Sequence, residues 1–513
     1  MMSTLTPTFF GFHNAQRALL AAQTGMNLVN HNISNANTKG YSRQRMDLGT
    51  ADPYQMPTVG VMVNDQVGQG VLVKQIIRMR DNFLDTQYRQ EQGIDGELKT
   101  LKNVIQQVEG VVGEPSFQGL ASSLQGLFDS MSDMRNNPQS QAARTAFIQK
   151  MLDTTSVFQK QGKQLADMHA NLVGKQDPNT FKSSQLGIRI ESVNASLATI
   201  TDLNRQINAV MSSGATPNDL LDQRNTLLEE LAKVIAIEVK PLANNEQVQI
   251  SIAGELMVRG NQQLNSLKLV SNPTADPVEA LRKPSIISTV NGGTNITDSI
   301  STGEVKGVLD MAGGNSSIEN VWTVMTKLSS MYEVLANNLN TIQSSGRDLN
   351  GALHTGTDTF ATLIQTDTSY TVGPKLMFMK VNEAFKLNTD KIALAADDST
   401  APSNFAGKGD SRNAARFAAL KSTVFVALNN NTIEGYHQTM VSRLGTDSKS
   451  IQDREAGQKD LLTQLDGRRQ AVAGVNLDEE AMDLVRFQRM FEASSRIFQA
   501  VNQMYQEIIN MAR

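Results

Sequence analysis

The chain has no cysteine, one tryptophan and five histidines among 513 residues. Without cysteine there is no disulfide framework, no thiolate zinc site and no thiol nucleophile. The histidines His13, His31, His169, His354 and His437 are scattered. His13 and His31 would share a helical face, yet stand ~27 Å apart, too far to hold one metal ion. Aromatic residues are only 5% of the chain, so its cores must be thin and aliphatic, which suits long helices better than a compact enzyme. No stretch approaches the ~18 uninterrupted apolar residues of a membrane span. The N-terminus MMSTLTPTFFGFHNAQ lacks the basic-then-apolar order of a cleaved signal peptide. The formal charge of −4 gives no basic surface for phosphate backbones, so nucleic acid is not an expected partner.

Chemistry-bearing motifs are equally scarce. Neither a G-x-S-x-G elbow nor a dinucleotide fingerprint is present. Gly407-Lys408-Gly409-Asp410 resembles a phosphate loop only loosely and reads as a solvated turn. Asp397-Asp398 has no matched electrophile and reads as solvated surface. No catalytic, metal-binding or cofactor-binding residue is expected, and the chain does not read as an enzyme.

Hydrophobic residues at 40% and charged residues at 19% describe a folded chain, long enough for several domains. The clearest patterns lie at its two ends. Phe12, Ala15, Leu19, Ala22, Met26, Val29 and Ile33 alternate at spacings of three and four, the a and d positions of successive heptads. They predict a helix from about Thr8 to Ser34, with Pro7 where a helix start tolerates it. Ala18 and Gly25 flank the seam and would let a partner helix approach closely. At the other end, Leu484, Phe491, Phe498 and Tyr505 fall seven apart, with Phe487, Val501 and Ile508 completing a second row in which Ser494 is polar. Met490, Ile497, Met504 and Met511 add a third apolar row, making a stripe wide enough for more than one neighbour. Asn476 with Glu479 reads as a capping box. Each terminal stripe needs a partner helix, and the plainest partner for each is the other.

Between them, helical segments fill Gly93 to Gly174, broken at Gly113-Glu114-Pro115 and Asn136-Asn137-Pro138, and Ser184 to Ile235, broken at Gly214 to Pro217. Val248, Ile250 and Ile252 alternate with polar residues, predicting short strands through about Val308. Helix is expected again at Ile318 to Ser344 and from Asn413 to Ala473, with a mixed, turn-rich stretch from His354 to Asp398. The expected fold class is mainly α with a β-rich insertion. The expected domains are an inner coiled-coil unit from residues 1–45 and 475–513, a helical shaft from 46–237, 309–350 and 405–474, and a β-rich outer region from 238–308 and 351–404.

The stretch NHNISNANTKGYSRQR, residues 30–45, ends the first helix with four asparagines in eight positions. Asparagine amides close helix ends and accept left-handed conformations, and Gly40 permits positive φ, so a fixed corner is expected. At Asn32, Ile33, Asn35, Asn37, Thr38, Gly40 and Tyr41 this corner resembles the signature of the flagellar axial family of rod, hook and hook-associated proteins. NDLLDQRNTLLEE (218–230), LNTIQSSGRDLNG (339–351), GDSRNAARFAAL (409–420) and the C-terminal VAGVNLDEEAMDLVRFQRMFEASSRIFQAVNQMYQEI resemble segments of the hook-associated branch. Ser42, where hook and rod proteins carry a basic residue, points to the same branch.

The resemblance implies a structural subunit of the bacterial flagellum, located outside the cell at the junction of hook and filament and exported unfolded through the flagellar type III apparatus. It implies self-association in a ring, with hook protein on one side and a second junction protein, hook-associated protein 3, on the filament side. An export chaperone is expected on the C-terminal helix, and no membrane insertion. Packing is expected from Phe12, Leu19, Met26, Val29 and Ile33 on one helix, and from Leu484, Phe487, Phe491, Ile497, Phe498, Val501, Tyr505 and Ile508 on the other. Both ends are expected to order only on assembly. A hook protein or flagellin would share the coiled-coil ends, and a cytosolic coiled-coil scaffold is the competitor from another class.

Overall fold

The computed structural model describes residues 10–52, 54–55, 66–113, 119–174, 178–242, 247–271, 284–289, 293–314, 317–356, 358–366, 379–398, 400 and 404–511. Helix α1, Phe10–Asn35, leads into strand β1, Gln44–Thr50. The expected helix start at Pro7 and Thr8 lies outside the described residues, as do Glu114 and Pro115. Strand β1 pairs antiparallel with β2, Val71–Arg78, placing Gln44 opposite Arg78 and Thr50 opposite Val71. This two-stranded arm occupies a stretch expected to belong to a helical shaft. Its strands are separated by twenty residues, and only their pairing identifies them.

The helical part follows. Helix α2, Asn82–Val112, is capped by the Asp81 carboxylate, which accepts from the Phe83 and Leu84 N–H groups. Helices α3, Leu120–Asn136, and α4, Gln141–Val173, then pack as a hairpin. Helices α5, Gln185–Ser212, and α6, Asn218–Val234, come next. Their ends coincide with the expected breaks, because glycine, asparagine and proline leave the helical region there.

A four-stranded meander follows: β3, Glu238–Pro241; β4, Val248–Ile252; β5, Glu255–Arg259; and β6, Gln262–Gln263. A separate pair joins β7, Leu267–Val270, to β8, Ser285–Ser288. Strand structure does not continue to Val308. Residues Glu304–Ala312 form helix α7, with Val305, Val308, Leu309 and Ala312 buried on α2 and its neighbours. Its glycines disguise it. Gly303 precedes the helix at φ +104°, and a Cβ at Gly307 would stand 2.8 Å from Thr100 Cβ, so Gly307 is there for close packing.

Helix α8, Val321–Ser345, has an Asn320–Thr323 capping box and carries the core residues Leu328, Met331, Tyr332, Leu335 and Leu339. The region after it contains few strands. Among the described residues, Ile364–Thr366 pairs with Met379–Val381, and Gly346–Arg347 with Ala395–Ala396. Leu363, Met379, Val381, Phe385, Ile392 and Leu394 are buried there, and polar knots tie the loops around them. Asp348 accepts from the Asn350 and Ala352 N–H groups and meets His354 Nε2 at 3.0 Å. Asn413 Nδ2 donates to Ile342 O and Ala393 O. Helix α9, Arg412–Ala419, then leads to α10, Ile433–Ala473, which lies along α2. Helix α11, Leu477–Met511, returns to α1. The chain is thus a mainly helical protein with a β-containing insertion. No described helix is long and apolar enough to cross a membrane.

Candidate functional site

The two terminal helices pair antiparallel. Gly11 lies beside Val501, the Phe12 ring sits on Phe498 with centroids 4.4 Å apart, Gly25 lies under Phe487, and Asn32 meets Glu480. A Cβ at Gly25 would stand 2.6 Å from the Phe487 ring, so the bare backbone is what lets the ring sit down on α1.

Of the expected packing residues, Val29 is buried, and Phe12, Leu19, Met26 and Ile33 are half-buried on α1. On α11, Leu484, Phe487, Phe498, Val501 and Tyr505 are half-buried. Phe491, Ile497 and Ile508 remain 38%, 55% and 52% exposed, and do not join the seam within one chain. Met490, beside Phe491 on the helix surface, is half-buried. Val485, Met504, Ile509 and Met511 on α11 and Leu20 on α1 are exposed as well. The apolar surface of the pair is wider than one partner covers.

The corner closes the base of the pair. Asn32, 2% exposed, fills its hydrogen-bonding capacity. Its Nδ2 donates to Gln44 O and Glu480 Oε2, each at 3.0 Å, and its Oδ1 accepts from Tyr41 Oη at 2.7 Å and Gln44 N at 3.1 Å. Burial, then the Asp219, Asp222 and Glu480 charges, push the Tyr41 hydroxyl well above its ordinary range, so it stays a donor. His31 Nδ1 lies 3.0 Å from the same hydroxyl. Asn35 Nδ2 donates back to His31 O, and Thr38 Oγ1 donates to Asn35 Oδ1. Ile33 is half-buried and Asn37 exposed. Gly40 turns the chain at φ +82°, with Thr226 where a Cβ would go. Gly40→Ala is therefore expected to cost about 1–3 kcal/mol, read as a lower denaturation midpoint; an unchanged midpoint would show that the corner does not depend on left-handed backbone.

The corner is bolted to the helical part by the 218–230 motif. Asp222 accepts from Ser42 N (2.9 Å), Ser42 Oγ (2.8 Å) and Arg78 Nη1 (2.8 Å). Gln44 Nε2 donates to Asp219, and Asn218 Nδ2 donates to Gln44 Oε1 and Ile76 O. Glu229 accepts from Arg80 and Arg469, which also hold Asp85. Two motifs that look independent in the sequence are the two halves of one joint.

Arg43 spans the other side, donating to Glu480 Oε1 and Glu479 Oε2, each at 2.7 Å. Burial opposes its charge, but the Glu480 and Glu479 carboxylates outweigh this and hold its pKa above the ordinary value. The expected Asn476–Glu479 capping box is replaced by a simpler cap. Asn476 Oδ1 accepts from Asp478 N, while Glu479 is engaged by Arg43.

Arg43, Gln44, Asp222, Arg78, Arg80 and Arg469 complete this joint without having been singled out from the sequence, and Glu480, read there as a helix-start acid, is a partner of Asn32 and Arg43. One signal was present. Glu480 precedes Phe487 by seven residues, a lone carboxylate on an apolar row.

The remaining polar candidates do not converge. Asp397 pairs with Arg347, and Asp398 with Arg412, so both are partnered rather than simply solvated. The Asp398 carboxyl is held down to about 2, first by the Thr400 hydroxyl and N–H and then by Arg412. Among the described residues no group of three or more His, Asp or Glu side chains could hold a metal ion.

Residues 105–360 match the family model "Flagellar hook-associated protein FlgK helical domain", and residues 470–511 match "Flagellar basal body rod FlgEFG protein C-terminal". The chain is 26% identical to flagellar hook-associated protein 1 of Bacillus subtilis (strain 168), over 99% of both chains. It is 25% identical to the protein of the same name from Escherichia coli (strain K12), over 97% of this chain and 99% of that one. The solved structure of the flagellar hook junction protein FlgK from Burkholderia pseudomallei superposes with a TM-score of 0.60 at 16% identity, covering 75% of this chain and all of the solved one.

Proposed function

This chain belongs to the flagellar hook-associated protein 1 family, and on that premise we propose that it is a structural, non-catalytic subunit joining the distal end of the hook to the filament. The observation that carries this reading is the exposed apolar stripe on α11, with Ile497, Met504 and Ile508 each more than half exposed although α1 is already in place. A stripe of that width on a paired helix calls for further helices, which copies of the same pair arranged around an axis would supply. In this reading the paired termini, residues 1–45 and 475–513, form the innermost layer. Residues 46–237, 309–350 and 405–474 form the shaft outside it, and residues 238–308 and 351–404 the outer region.

The chain leaves the cell unfolded through the flagellar export apparatus and works outside it. Its partners are copies of itself in a ring, hook protein on one side and hook-associated protein 3 on the other. Before assembly, an export chaperone covers the α11 stripe, and neighbouring copies of the chain cover it within the ring.

Electron microscopy of cells lacking this chain, with the medium assayed for flagellin, tests the proposal. Hooks without filaments and monomeric flagellin in the medium are expected. Missing hooks would move the chain earlier in the axis, and normal filaments would remove it from the axis altogether.

A further inference from the structure

The terminal helices have a problem of register. Phe12, Leu19, Met26 and Ile33 repeat every seven residues, as do Leu484, Phe491, Phe498 and Tyr505. Sliding α11 along α1 by one heptad would again set apolar residues against apolar residues. Hydrophobic burial is non-directional and separates such registers poorly.

Two pairs are not interchangeable. Along α1, Gly11, Ala18, Gly25 and Asn32 form a row spaced by sevens, in which Gly11 meets Val501, Gly25 meets Phe487 and Asn32 meets Glu480. A one-heptad slip puts Phe487 over Ala18 or Asn32, where a Cβ or a polar amide replaces the bare backbone of Gly25. The same slip puts Glu480 beside Gly25 or past the end of α1 at Asn35. In either case Asn32 loses its Glu480 acceptor, and beside Gly25 the carboxylate has no side-chain donor. Glu480 is 1% exposed, with one oxygen on Asn32 Nδ2 and the other on Arg43 Nε. A buried charge parted from its partners is strongly disfavoured, and a single buried polar group is known to specify register in coiled coils.

We propose that Asn32 and Glu480, seconded by Gly25 and Phe487, are the register-determining residues of the terminal pair. They select one alignment from a set that the heptads leave nearly degenerate. The same contacts tie that alignment to the corner, since Asn32 also holds Gln44 and Tyr41. The axial position of α11 is thereby fixed relative to the helical part rather than merely to α1.

The absence of native cysteine allows register to be read directly. In the purified full-length chain, Gly11→Cys with Val501→Cys reports the native alignment; Gly11→Cys with Ser494→Cys, or with Ile508→Cys, reports the two one-heptad slips. Equilibration in a glutathione redox buffer gives an effective concentration for each pair, and the ratio among them is independent of how often the helices meet. With Asn32 and Glu480 intact, the native pair is expected to exceed either slipped pair by about tenfold or more, the scale of one hydrogen bond to a buried charge. Asn32→Leu with Glu480→Leu should bring the three within about threefold of one another, whereas Glu480→Gln, which keeps an acceptor, should preserve the native preference. An unchanged preference in the double-leucine variant would overturn the proposal, as would equal effective concentrations with both residues intact. The readout needs neither export nor assembly, so its failure is distinct from failure of the junction reading.

Discussion

Phe498→Ala is expected to leave the helical part folded and to prevent the chain from taking its place in the axis. The ring packs on Phe12 with centroids 4.4 Å apart, yet is only half-buried within one chain. Truncation of a fully buried phenylalanine costs ~3–5 kcal/mol, so the isolated pair should lose about 2 kcal/mol, with the rest lost where neighbouring copies would cover the ring. Because that loss recurs in every subunit, assembly suffers far more than the stability of one molecule. The unfolding midpoint of the purified chain should stay close to that of the unaltered chain, since the core residues of α2, α4 and α8 are untouched. In cells, motility should be lost and flagellin should appear in the medium. A variant that swims normally would show that the α1–α11 seam is not the assembly surface.

Asp222→Ala should have the opposite signature, damaging the fold first. This carboxylate takes Ser42 N, Ser42 Oγ and Arg78, with Arg80 at 3.4 Å. Removing it strands a buried N–H and leaves Arg78 and Arg80 crowded in a site where Asp222 supplied the central charge. Breaking a buried pair in this way costs ~3–5 kcal/mol. The expected result is a large fall in the denaturant midpoint with little change in slope, because the surface exposed on unfolding is the same. Asp222→Asn keeps an acceptor for Ser42 and should lose less. A loss below about 1 kcal/mol for the alanine variant, the range of exposed pairs, would mean that the corner is not clamped through α6.

The contrast between these substitutions follows what could be read from the sequence. Helices α1 and α11 were legible because their apolar residues repeat with helical period, and the ends of α5 and α6 because Gly214 to Pro217 interrupt a regular pattern. The β1–β2 arm was not legible. Gln44–Thr50 alternates weakly, and its partner is remote in the chain. Helix α7 was hidden because Gly303, Gly307 and Gly313 look like breakers, although Gly307 serves close packing against Thr100. The corner motif itself was visible, but its partners were not: Asp222 lies 180 residues from Ser42, and Glu480 lies 448 from Asn32. Local propensity carries no information over such distances. What remained in the sequence was a residue out of place, a carboxylate on an apolar row.

In the proposed assembly the paired terminal helices of this chain line the axis where hook meets filament. Electron cryotomography of that boundary in intact cells, averaged and compared with the strain lacking the chain, tests it most directly. A ring present only when the chain is present is expected, with α1 and α11 at its innermost radius and the α11 stripe against neighbouring copies. A ring unchanged by the deletion, or one with these helices on its outer surface, would contradict it.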